Sequence, residues 1–150
     1  MAVLLIVHHS PGPSLRAMLG QVMAGTNAPG INGVDVHSVA ALDADAAMVH
    51  DADAVILGTP ANLGYMSGAL KHFFDTVYNE CLGRAPSLPF SVFVHGESDT
   101  SGALLGIEKI TTGLGWRQSQ ATVSSIGTPD QAVLDRCWEL GAAMAASLME

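Results

Sequence analysis

Three short stretches are almost continuously apolar: Ala2–Val7, Ala54–Gly58 and Pro89–His95. Uninterrupted apolar runs of this length, rich in Val, Ile and Leu, are what strands look like when both faces of a parallel sheet are covered. Val34–Val39 reads as a shorter second strand. Gln120–Ser125 reads as a more polar fifth strand, suited to an edge. Between the strands the period changes. Leu15, Met18, Leu19, Val22 and Met23 follow the i, i+3, i+4, i+7, i+8 spacing of a helix that buries one stripe. Leu70, Phe73, Phe74, Val77 and Tyr78 repeat it, and Val133, Leu134, Cys137, Trp138 and Met144 form the stripe of a last helix.

Turn and cap residues set the boundaries. Pro11, Gly12 and Pro13 break the first strand, and Ser14 is placed to cap the first helix. Gly25–Gly33 is a loop, and Asp43–His50 a short helix starting on an aspartate. Ser67 caps the helix after the third strand, and another helix runs from about Ser101 to Gly113 or Gly115. Thr128, Pro129 and Gln131 supply an N-cap, a proline at the first helical position and a capping-box partner for the last helix. Five strands alternating with helices imply right-handed crossovers and one doubly wound α/β domain spanning residues 1–150.

Composition agrees with one packed domain. The chain is 49% hydrophobic and only 13% charged, which excludes disorder. No apolar run reaches the roughly 18 to 20 residues that span a bilayer, and no basic segment precedes the first apolar run as in a signal peptide. Cys81 and Cys137 fit neither a disulfide framework nor a CxxC pair, so a reducing, cytoplasmic setting is expected. The net charge of −8 argues against nucleic acid and against anionic membranes as partners. Its distribution adds more: Met1–Val34 holds no Asp or Glu, and Arg16 is its only charged side chain. That leaves the first strand–helix unit free to receive an anion.

Ligands of doubly wound sheets bind beyond the carboxyl ends of the strands, where strand order reverses. The loops to read are therefore His8–Ser14, Thr59–Ser67 and His95–Ser101. The first carries Ser10 and Ser14 hydroxyls, Gly12, and His9 at the start of a helix, whose open N–H groups and dipole suit a phosphate. It contains neither GxGxxG nor GxxxxGK[ST], which leaves dinucleotide-binding and NTPase readings unsupported. Ser67 lies in Gly-Tyr-Met-Ser-Gly, the wrong spacing for a hydrolase elbow. A phospho-acceptor domain needs acids after the first strand, where His8 and His9 stand. The six histidines show no metal-ligand spacing, although His95 and Glu97 could meet His9 across the strand tips; no metal is expected.

The second loop is the specific one. Gly58-Thr59-Pro60, followed by Met66-Ser67-Gly68-Ala69-Leu70-Lys71-His72-Phe73-Phe74-Asp75, resembles the flavodoxin-like NAD(P)H-dependent FMN and quinone reductases. The resemblance implies a five-stranded parallel sheet in the order 2-1-3-4-5 with helices on both faces, FMN as cofactor and NAD(P)H as electron donor. It also implies that Thr59, Pro60, Ala61, Asn62 and Leu63 line the isoalloxazine edge, with small residues and Gly64 letting the backbone approach. Tyr65 is the one aromatic side chain of the three loops that can stack on the ring. The third loop, with His95, Gly96, Glu97, Asp99 and Ser101, stands where the family closes over the flavin; here it has two acids and no aromatic residue. Lys71 is read as pairing with Asp75 four positions on. Trp116 and Trp138 are read as packing residues.

Two functions share this reading. One is an oxidoreductase that passes reducing equivalents from NAD(P)H to a quinone, a flavin or another small acceptor. The other is a flavodoxin-type carrier that exchanges electrons with a redox partner protein, which the acidic charge suits. The uncovered ring and the Met-Ser-Gly motif favour the enzyme. A flavin-free binding module is the third reading, and homodimerisation is left open.

Overall fold

The computed structural model describes residues 1–84 and 86–149. In chain order its elements are β1 (Ala2–His8), α1 (Pro13–Thr26), β2 (Val34–Ala40), a single 3-10 turn (Ala41–Asp43), α2 (Ala46–Asp51), β3 (Ala54–Asn62), β4 (Tyr65–Met66), α3 (Gly68–Cys81), β5 (Pro89–Gly96), α4 (Ser101–Leu114), β6 (Arg117–Gln118), β7 (Val123–Ile126) and α5 (Gln131–Ala146). Parallel pairing runs β2-β1-β3-β5-β6, with β7 also on β5. This is an α/β flavodoxin-like fold. The sheet has seven strands rather than the expected five: a two-residue antiparallel β4 is added beside β3, and the outer edge is made of two pieces, an unexpected β6 and, in place of the expected Gln120–Ser125, the shorter β7.

Alternation along the buried strands divides the core between the two faces. Leu4 and Ile6 of β1 and Phe93 of β5 pack with Met18 and Val22 of α1 and Cys137 and Met144 of α5. Leu5 and Val7, with Val92 and Val94, pack on the other face against Phe73 and Phe74 of α3 and Ile107 of α4. Each such aliphatic side chain contributes about 1.5–3 kcal/mol through burial. No described helix is long and apolar enough to cross a membrane.

Several boundaries depart from the sequence reading, each for a local reason. Gly12, not Ser14, is the N-cap of α1, with Pro13 in the first helical position where its fixed φ is favourable and its missing N–H costs nothing. Asp45, not Asp43, caps α2, its Oδ1 accepting from the Met48 N–H at 2.9 Å. Asp130 displaces Thr128 as the cap of α5 and accepts from the Val133 N–H at 2.9 Å; a carboxylate there also meets the positive end of the helix dipole. Trp138 is 36% exposed, because it lies one position beyond Cys137 and falls off the edge of the buried stripe. Trp116 does pack, its ring centroid 6.3 Å from that of Phe74.

The fifth strand divides because polar side chains take over from the ladder. Ser91 Oγ donates to the Gln120 carbonyl at 2.8 Å, and Gln118 Nε2 donates to the same carbonyl at 3.1 Å. Side-chain bonds of this kind offer the backbone an alternative to strand pairing.

Candidate functional site

The strand registers bring three chain segments together. His8 lies opposite Gly58, and Pro60 opposite His95, so the carboxyl ends of β1, β3 and β5 end side by side. A cavity of about 250 Å³ opens there, lined by Pro11, Gly12, Pro13, Ser14 and Leu15, by Pro60, Ala61 and Asn62, and by His95, Gly96 and Glu97.

The first wall is the start of α1. Its N-cap makes no side-chain hydrogen bond, whereas Asp45, Ser67 and Asp130 cap α2, α3 and α5. The first intrahelical bond is Arg16 N–H to the Gly12 carbonyl at 3.1 Å, which leaves the Ser14 and Leu15 N–H groups without helical partners. The Arg16 guanidinium turns back over the loop, donating at 3.3 Å each to the Pro11 and Gly12 carbonyls. A cation held at the positive end of a helix is unfavourable by itself, and an anion in the same place relieves it. Ser10 does not face the cavity: its Oγ lies 3.1 Å from His8 Nδ1. His8 is half-buried, and burial first, then the neighbouring His9, holds its pKa below the ordinary value. His9 is likewise absent from the cavity wall.

The second wall is a hairpin. Thr59 is fully buried, its Oγ1 accepting from the Ser67 N–H at 3.1 Å and donating to the Pro60 carbonyl at 2.8 Å. Ser67 Oγ in turn accepts from the Leu70 N–H, as the sequence suggested for a cap. The hydroxyl of Thr59 is thus spent in closing the base of the loop. Beyond it Asn62 pairs with Tyr65 across a two-residue turn at Leu63 (φ 52°) and Gly64 (φ 76°). Two positive φ values are those of the turn that matches strand twist, and leucine is a strained choice for the first of them. The hairpin is seated on α4. A Cβ at Gly102 would collide with the Gly64 carbonyl, and one at Gly106 with the Tyr65 ring. Leu63, Gly64 and Tyr65 therefore stand outside the cavity, with Tyr65 against α4 and Leu63 fully exposed.

The third wall comes from the end of β5. His95 is 8% exposed, and its Nε2 donates to the Gly127 carbonyl at 2.9 Å. Glu97 is open to solvent, its Oε1 4.0 Å from His95 Nε2. Asp99 lies outside the cavity, one residue before the Thr100 N-cap of α4, and its carboxylate accepts from the Ser101 hydroxyl at 2.7 Å and the Ser101 N–H at 3.0 Å. Those bonds hold its pKa below the usual carboxylate range. Among the described residues no three His, Cys, Asp or Glu side chains converge as a metal site.

Of the residues singled out from sequence, Gly12, Ser14, Pro60, Ala61, Asn62, His95, Gly96 and Glu97 come together. The sequence reading passed over Pro11, Pro13 and Leu15, which complete the wall. Their only signal was their place in the first loop. The assembled groups are open helix N–H donors at one end, and small residues with the His95 ring and the Glu97 carboxylate at the other. That arrangement can hold an anionic group joined to a flat one.

Residues 18–113 match the sequence profile of the NADPH-dependent FMN reductases. The chain belongs to this family. As a member of the FMN reductase family it is an FMN-binding oxidoreductase by kinship, and its fold agrees. The two-electron reduced flavodoxin of Megasphaera elsdenii superposes with a TM-score of 0.77 at 24% identity, covering 95% of this chain and 98% of that one. A flavodoxin from the domain Archaea gives 0.77 at 18% identity, covering 97% of each chain. The apo form of an NADH:FMN oxidoreductase gives 0.77 at 15% identity, covering 100% of this chain and 91% of the other. No curated protein matches the sequence.

Proposed function

We propose that this FMN reductase family member holds FMN in the cavity at the strand ends and passes reducing equivalents from NAD(P)H to a small acceptor such as a quinone or a free flavin. The observation that carries the reading is the uncapped start of α1, whose first turn lines the cavity at the strand ends.

The residues present fit the cofactor. The N–H groups of Ser14 and Leu15, the Ser14 hydroxyl and the charge of Arg16 would hold the phosphate. Pro11 and Pro13 have no N–H, so the loop offers few donors and each one counts. Ala61 and Asn62 would lie along the edge of the ring, which supplies hydride acceptance and donation when bound. Because Tyr65 packs on α4, no Phe, Tyr or Trp among the described residues walls the cavity, and a ring held there would keep a face open for a nicotinamide. Hydride transfer needs that face, since the reacting atoms must approach to roughly 3–3.5 Å.

Purified protein loaded with FMN should show a flavin absorption band. Anaerobic mixing with NADPH or NADH should bleach that band fully, and quinone should restore it. Bleaching by a reductase protein but by neither nicotinamide would make the protein an electron carrier. Absence of any FMN binding would overturn the whole reading.

A further inference from the structure

His95 has a free nitrogen. Gly127 O can only accept, so the 2.9 Å contact fixes the proton on Nε2 and leaves a lone pair on Nδ1 of the neutral ring. No described residue bonds to that Nδ1. Among the described residues Trp116 Nε1 is the one side-chain polar atom that is both shut off from water and unpaired. Nδ1 is therefore within reach of solvent, on a residue only 8% exposed that lines the cavity. The imidazole is held from behind as well: Ser125 Oγ donates to the same Gly127 carbonyl at 3.3 Å, and the Gly127 N–H donates to the Gly96 carbonyl at 2.8 Å. The result is an acceptor of fixed tautomer, set in a cavity whose other end presents donors.

We infer that His95 is a positioning residue for the ligand of this cavity, its Nδ1 accepting a hydrogen bond from an N–H or O–H group of the flavin. The inference rests on the FMN reading. The shared chemistry is a ligand donor, and two groups of a flavin supply one: the pyrimidine N–H of the ring and the hydroxyls of the ribityl chain. Glu97 does not substitute for Nδ1, because its carboxylate lies on the Nε2 side of the ring and is open to water.

Two variants separate this role from support of the fold. In His95→Gln the amide nitrogen takes the place of Nε2 and keeps the bond to Gly127, while the acceptor at the δ position is lost. In His95→Asn the amide oxygen takes the place of Nδ1, while the bond to Gly127 is lost. The expected result is a His95→Gln protein that melts like wild type but binds riboflavin roughly threefold to tenfold more weakly, the value of one hydrogen bond. The His95→Asn protein should melt lower and keep most of its affinity. Titrations with lumiflavin, which lacks the ribityl chain, and with 3-methylriboflavin, which lacks the ring N–H, assign the donor. A His95→Gln penalty that survives in lumiflavin and vanishes in 3-methylriboflavin marks the ring N–H; the reverse marks a hydroxyl. Wild-type affinity of His95→Gln for all three flavins would overturn the inference and leave the FMN reading standing, as would equal loss in both variants in step with melting temperature. Wild-type protein that binds none of the flavins would overturn both.

Discussion

Gly141 of α5 sits directly on the backbone of Val22 in α1, so close that a Cβ there would overlap the Val22 carbonyl oxygen. The contact is reciprocal along the same seam, where Gly25 of α1 meets the Trp138 carbonyl. Helices this close cannot be separated locally, because the obstacle is backbone on both sides. Gly141→Ala should therefore destabilise the protein by about 1–3 kcal/mol through overpacking. Because α1 also starts the candidate site, flavin affinity should fall with it. Urea unfolding and a flavin titration of the same variant check both; loss of neither would mean that the seam opens freely.

The phosphate end of the site should depend on Ser14 and not on Ser10. Ser14 lines the cavity at the open start of α1, whereas Ser10 is turned toward His8. Ser14→Ala should weaken FMN about tenfold while leaving riboflavin unchanged, in keeping with one hydrogen bond to a charged group. Ser10→Ala should leave both affinities close to wild type. Flavin fluorescence quenching reads all four constants.

Leu63 should be replaceable with profit. Its φ of 52° is one that leucine adopts reluctantly and asparagine readily, and its side chain is fully exposed. Leu63→Asn should stabilise the protein by about 0.5–1 kcal/mol. A denaturation midpoint at or below that of wild type would refute this.

His8 makes stability fall in mild acid. Burial and His9 lower its folded-state pKa below 6.5, so between that lowered value and 6.5 the unfolded chain binds the proton more readily than the folded one. The resulting loss of stability is absent above pH 6.5 and grows as pH falls through the window. His8→Gln should flatten this part of the curve. Melting temperatures of both proteins from pH 5 to 7.5 give the difference directly.

The two thiols should be inert in the folded state. Burial raises both, taking Cys137 to about 11 and Cys81 in the same direction, so little thiolate exists at pH 8. A disulfide-exchange reagent should react slowly with native protein and with both thiols once urea unfolds it.

Much of this was legible from residue order. Apolar runs placed the strands, the Ser67 cap and the Lys71–Asp75 pair (2.7 Å) follow from local spacing, and the three loops that form the cavity lie at strand ends. The hidden parts are those decided by neighbours far along the chain. A leucine in a left-handed turn gives no hairpin signal, so β4 was invisible. Ser10 and Ser14 look alike in sequence, and only the packing of His8 at the end of β1 separates them. The glycines at 102 and 106 read as ordinary weak helix residues until the hairpin is laid across them.

The division of the last strand bears on how the molecule behaves in company. An unbroken outer strand would offer a continuous row of free backbone groups to any other copy. Here the row is interrupted: the chain leaves β6 after Gln118, is tied inward by Ser91, and rejoins β5 only at Val123. Neither piece is long enough to template a neighbour, so this border of the sheet, unlike the unbroken seven-residue border formed by β2, is protected against fibril-like stacking.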